Sequence, residues 1–78
     1  MTDNNGIYTD RLKKARQERN ITFRKMAQLL GYNSPSSYLY IERGDVQPTI
    51  RMMNEISNIL GQPVDYFFKL NVQDNQTK

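Results

Sequence analysis

Helix punctuation recurs along this chain at intervals too short for any one helix to stand alone. Thr9 precedes the run RLKKARQER, which ends at Asn20. Threonine is a favoured N-cap, Asp10 suits the positive start of a helix, and asparagine tolerates the left-handed conformation that closes one. Thr22 opens FRKMAQLL, and Gly31 closes it. Ser34 followed by Pro35 is a strong start signal, a cap and then a first-turn proline. The helix it predicts runs through SSYLYIER and stops at Gly44. Pro48-Thr49 opens IRMMNEISNIL, which Gly61 closes, and a short segment over 63–70 completes the series. No stretch alternates with period two. Apolar residues recur at helical spacing instead: Leu12 and Ala15; Met26, Ala27 and Leu30; Tyr38 and Ile41; Met53, Ile56 and Leu60; Val64, Phe67 and Phe68. Helices this short are marginal in isolation, so they must share one core. The expected fold is all-α, a compact five-helix bundle.

Composition removes most chemistry. With 78 residues the chain has room for one domain. It has no Cys and no His, so disulfides, thiolate or imidazole catalysis and the usual zinc and haem ligands are absent. Ser, Lys, Asp and Tyr are present, but no spacing sets an acid and a base in one pocket. An enzyme is not expected, nor a metal, nor any cofactor. No apolar run approaches the roughly 20 residues that cross a bilayer, and residues 1–20 hold no signal-like apolar stretch. This suits the cytoplasm. The polar residues at either end predict a flexible arm over 1–7 and a flexible tail over 71–78, leaving the domain at 8–70.

Charge is unevenly spread. Residues 11–25 carry Arg11, Lys13, Lys14, Arg16, Arg19, Arg24 and Lys25 against the single acid Glu18, although the whole chain is only +3. The remainder is net acidic. A concentrated positive field of this kind suits a polyanion such as nucleic acid.

Two predicted helices joined by Tyr32, Asn33 and Ser34 have helix-turn-helix spacing, about 22–43. The second of them is polar at its start and apolar at Tyr38 and Ile41, one turn apart. That leaves one face free for the major groove, about 12 Å wide, where the first residues of a helix reach base edges. In these motifs the chain resembles the Cro/repressor (Xre-like) helix-turn-helix family, with its lambda-repressor-like bundle. Met26-Ala27-Gln28-Leu29-Leu30-Gly31 is similar to the family's Leu-Ala-x-x-Leu-Gly, and Ile41-Glu42-Arg43-Gly44 to its Ile-Glu-x-Gly. Pro48-Thr49 and Leu60-Gly61 match its later punctuation, with 11–19 as helix one.

The resemblance implies a bundle that binds operator DNA, usually as a two-fold dimer, the third helix reading bases. It places Pro35, Ser36, Ser37 and Tyr40 toward the groove, with Asn33 of the turn as a further base-contact candidate. Phe23 falls where the family often has a glutamine bracing a phosphate. It also implies an ion pair between Arg16 and Glu42. Four departures stand out: the turn is one residue longer than the commonest pattern, Phe23 cannot make glutamine's hydrogen bonds, the loop after Gly44 is Asp45-Val46-Gln47 rather than basic, and Gln62 sits where an apolar residue is common.

The phosphate-contact candidates are therefore Phe23, Arg24, Lys25, Arg43 and Arg51, with Lys13 and Lys14 behind them. The expected function is sequence-specific binding of double-stranded DNA by a transcriptional regulator, a repressor acting on a palindromic operator. The alternative is an antitoxin-like or other protein-interaction module of the same fold that also binds its own promoter. A homodimer is expected, with Tyr66 and Phe68 as interface candidates; for Phe68, core packing is an equal rival.

Overall fold

Three of the helices begin at a residue whose side chain caps them. The computed structural model describes residues 6–69. Within these the chain is all-α: α1 is Thr9–Glu18, α2 Phe23–Leu29, α3 Pro35–Arg43, α4 Ile50–Leu60 and α5 Val64–Phe67. Thr22 Oγ1 accepts the Lys25 N–H at 3.0 Å, and Thr49 Oγ1 accepts the Met52 N–H at 3.1 Å. Ser34 Oγ accepts the Ser36 N–H at 3.3 Å, with Pro35 in the first turn of α3. Each of these bonds satisfies a backbone donor that a helix start would otherwise leave open. At the other ends Asn20, Gly31, Gly44 and Gly61 take positive φ, which turns the chain out of the helix.

Three expectations need correction. Thr9 is not a cap but the first helical residue. Tyr8 holds the cap position and makes no side-chain cap bond. The Tyr8 N–H is committed to the Phe67 carbonyl at 2.8 Å, and that pairing fixes where α1 begins. The last helix is also shorter than 63–70. Phe68 is extended (φ −127°, ψ 136°) and forms an antiparallel bridge with Ile7. Finally, the arm does not reach residue 7. Ile7 is fully buried, and the Gly6 carbonyl accepts the Lys69 N–H. The two ends of the domain are thus sewn together, side by side. Residues 1–5, and with them most of the expected arm, lie outside the described residues, as do Leu70 and the expected tail 71–78.

One cluster forms the core. Leu12 of α1, Met26 of α2, Tyr38 and Ile41 of α3, Ile56 and Leu60 of α4, and Phe67 of α5 are each at most 2% exposed. Burying side chains of this size contributes roughly 1.5–3 kcal/mol each. Phe68 is 1% exposed in the same cluster, its ring 6.2 Å from that of Phe67. The core has claimed it, so it is not available as a dimer contact. α2 and α3 make the most extensive helix–helix contact in the bundle.

Two arginines of α1 and its end act as ties. Arg11 Nη1 donates to the Tyr66 carbonyl at 2.8 Å, and its guanidinium lies over the Tyr8 ring at 4.2 Å and the Tyr66 ring at 4.8 Å. Arg19 Nε donates to the Leu60 carbonyl at 3.0 Å, capping the end of α4. Gly61 serves this bond in two ways. It supplies the left-handed turn (φ 76°), and any Cβ there would run into the Arg19 guanidinium. No helix among the described residues is long and apolar enough to cross a membrane.

Candidate nucleic-acid interface

The side chains available to a ligand at the α2–α3 unit are set by which faces the core has taken. On α3 the core takes Tyr38, Ile41 and Glu42. At 100° per residue the opposite face carries Ser36, Tyr40 and Arg43. Tyr40 is 44% exposed, a large value for an aromatic side chain. The Arg43 guanidinium stands 5.9 Å from the centre of the Tyr40 ring, and its Nε lies 3.2 Å from Asp45 Oδ2. Ser36 Oγ is 2.9 Å from Ser34 Oγ, so the two hydroxyls share one proton contact at the tip of the helix. At the start of α2, Arg24 and Lys25 are exposed beside the Thr22 cap.

Behind this face lies a buried ion pair. Arg16 Nε donates to Glu42 Oε1 at 2.8 Å and Nη2 to Oε2 at 3.0 Å, a two-pronged fit of guanidinium to carboxylate. Arg16 Nη1 donates to the Ile21 carbonyl at 2.8 Å. The two side chains are 9% and 6% exposed. The Phe23 ring covers the guanidinium at 4.1 Å and packs at 6.2 Å against the Tyr38 ring. Arg16 is held above its usual pKa chiefly by the hydrogen bond to Glu42, against the opposing effect of burial. The pair joins α1, the α1–α2 turn and the end of α3.

A capped α2, a turn ending in Ser34-Pro35 and a braced α3 with an exposed polar face make a helix-turn-helix. The profile of the helix-turn-helix domain family matches residues 9–71. The chain belongs to this family, in its Cro/Xre-type branch. Two relatives come from Bacillus subtilis (strain 168). The uncharacterized HTH-type transcriptional regulator YqaE is 35% identical over 63 residues, covering 81% of this chain and 53% of the relative. The SPbeta prophage-derived uncharacterized HTH-type transcriptional regulator YonR is 32% identical over 63 residues, covering 81% of this chain and 57% of the relative. The chain therefore spans somewhat over half the length of the curated relatives it matches. No solved structure matches it significantly.

Within this helix-turn-helix domain the expected base-reading residues fall together at the tip and outer side of α3. Asn33 is exposed in the turn, Pro35, Ser36 and Ser37 are half-buried, and Tyr40 projects outward. The expected phosphate residues divide. Among the described residues, Arg24, Lys25, Lys13 and Lys14 have no acid within ion-pair distance. Arg43 does, and so does Arg51, whose Nε lies 3.6 Å from Glu55 Oε2 one turn along α4. Lys13 lines a groove of about 340 Å³ between α1 and α3 together with Asp10, Phe23, Leu39, Glu42 and Arg43, so acids share the groove with it. Phe23 leaves the set of phosphate-contacting side chains, keeping only its backbone N–H at the start of α2. Its side chain carries no donor, it is half-buried, and its ring is spent on Arg16 and Tyr38.

Two participants had no signal in the sequence pattern. Asp45 follows a glycine and only meets Arg43 because Gly44 turns the chain back. Tyr38 reads as an ordinary core aromatic, yet its buried hydroxyl sits against Glu42 and makes no well-formed hydrogen bond among the described residues. Burial raises the Tyr38 phenol above its usual value of 10.0, and the nearby Glu42 carboxylate adds to the rise. The unfolded chain ionises this group near pH 10, and the folded one only above that. Its contribution to stability is therefore full below pH 10 and is lost as the pH climbs further. Tyr38→Phe deletes this buried hydroxyl, which sits against Glu42, at almost constant shape. Its stability at pH 7 is expected to stay within about 1 kcal/mol of wild type, as thermal melts would show. Its stability above pH 10 should also fall less steeply in alkaline melts.

Proposed function

We propose that this domain binds double-stranded DNA sequence-specifically and serves a transcriptional regulator, most simply a repressor, in the cytoplasm. The observation that carries the reading is the outer face of α3. It holds Ser36 and Tyr40 clear of the core, braced from behind by Arg16–Glu42, and Arg24 and Lys25, without an acid partner among the described residues, stand at the neighbouring helix start. In this reading α3 enters the major groove. Arg24, Lys25 and the start of α2 hold one backbone strand, with Lys13 close by. Arg43 and Arg51 contribute less, because each must first leave a weak exposed pair with Asp45 or Glu55. Phosphate contacts supply most of the affinity, and base contacts the discrimination.

The reading face offers no Gln, Asn or Arg in the first turns of α3 for a strong two-pronged base contact. Asn33 in the turn, with Pro35, Ser36, Ser37 and Tyr40, leaves apolar contact, adaptable hydroxyls and DNA shape as the means of discrimination. One domain reads one half-site, so a homodimer on a palindrome follows, with half-sites about one DNA turn apart. Tyr66 is the remaining dimer candidate. It is half-buried, with one approach to its ring occupied by Arg11.

Selection of binding sites from random duplexes at two salt concentrations tests this. A palindrome is expected, with affinity falling steeply as salt rises. Tyr40→Ala should relax base preference within it. Failure to enrich any sequence would sink the reading and favour a protein-interaction role for the same fold.

A further inference from the structure

We propose that Asp45 is an electrostatic brake on DNA binding: it holds Arg43 against Tyr40 and withholds that cation from phosphate. The inference rests on the DNA-binding reading above. It starts from how firmly the backbone places Asp45. Gly44 takes φ 86° at the end of α3, and its N–H donates to the Ile41 carbonyl at 3.0 Å. The chain then folds back so that the N–H groups of Asp45 and Val46 both donate to the Tyr40 carbonyl, at 2.9 and 3.3 Å. A glycine-dependent helix stop of this kind sets the course of the backbone through Asp45. The Asp45 carboxylate is thereby delivered to the end of the Ser36–Tyr40–Arg43 face, with its Oδ2 3.2 Å from Arg43 Nε.

The consequence is a cation that sits on the reading face with its charge cancelled. The side chains of Arg43 and Asp45 are 59% and 49% exposed, so both meet whatever docks on α3. A neutral pair releases no condensed counterion from DNA, and a carboxylate within a Debye length of phosphate, about 8 Å, opposes the approach. Arg24 and Lys25 at the start of α2 carry no such partner among the described residues. Affinity is thus weighted toward the α2 side, and Arg43 is kept as a support for Tyr40. An exposed pair holds weakly, so the brake is graded and not a lock.

Asp45→Asn keeps the shape of the turn and removes the charge. Titrated against the selected palindrome and against an unrelated duplex over a salt series, it is expected to bind both about 3- to 10-fold more tightly than wild type. The slope of log K against log salt should steepen by about 0.9, one additional phosphate contact. Arg43→Gln should then cost more affinity in the Asp45→Asn background than in the wild-type one. Thermal melts check that all these variants fold as wild type does. If wild type binds while Asp45→Asn matches it in affinity and slope, the brake is wrong and the DNA-binding reading stands. A gain that survives Arg43→Gln overturns it equally, because the freed cation is then not the cause. If neither wild type nor any variant binds a duplex with salt dependence, both readings fall together.

Discussion

Glu42→Ala is expected to destabilise the fold by about 3–5 kcal/mol, because it strands the Arg16 charge in a site built for a pair. Arg16 would keep its bond to the Ile21 carbonyl and its place against Phe23, but lose both carboxylate contacts. Whole-domain stabilities are only about 5–15 kcal/mol, and a chain of this size belongs near the low end. For a domain of 60–100 residues 1 kcal/mol moves the melting temperature by about 4–8 °C, so a fall of more than about 12 °C is expected. The decisive comparison is the paired replacement of Arg16 with Met and Glu42 with Leu. Two apolar side chains of similar volume remove the stranded charge and should restore most of the loss, which makes the two changes strongly non-additive. A Glu42→Ala protein that melts like wild type would show that the pair does not support the bundle.

The second large effect concerns binding. Replacing both Arg24 and Lys25 with Gln should weaken binding to every duplex roughly equally, because phosphate contacts position without reading sequence. Two charge-assisted contacts at about 1.5–3 kcal/mol each correspond to a loss of about 100-fold or more. The slope of log K against log salt should become shallower by about 1.8, at roughly 0.9 per phosphate. Both side chains are exposed and the Thr22 cap depends on the Lys25 backbone alone, so the melting temperature should stay at the wild-type value. Unchanged affinity and slope in this variant would remove the start of α2 from the interface. Loss confined to one sequence would instead make these residues base readers.

Much of the architecture is local and therefore legible. Thr22, Ser34 and Thr49 cap the helices they precede, and Gly31, Gly44 and Gly61 close them, because capping and left-handed turns involve neighbours a few residues away. The helical spacing of Met53, Ile56 and Leu60 identifies the buried side of α4 for the same reason. The errors sit where distant segments meet. Thr9 has every local attribute of a cap, but the bond from Tyr8 to Phe67 fixes the helix start one residue away. Ile7 follows a polar, glycine-containing run that resembles a loose arm, yet its pairing with Phe68 buries it. Phe68 itself looks equally suited to a core or an interface until the bundle closes over it.

By itself the sequence determined five short helices, their limits to within a few residues, a single apolar core and a concentrated basic segment, since these depend on short-range conformational preference and composition. Only the tertiary structure decided which charges are free. Arg16 and Arg24 belong to one basic run, yet one is buried against Glu42, 26 positions along the chain, while the other faces solvent with no acid beside it among the described residues. Arg43 reads as a cation at the end of α3, and the turn at Gly44 brings Asp45 back to within 3.2 Å of it. Pairing of charges is a matter of ångströms in space, and spacing along the chain does not report it.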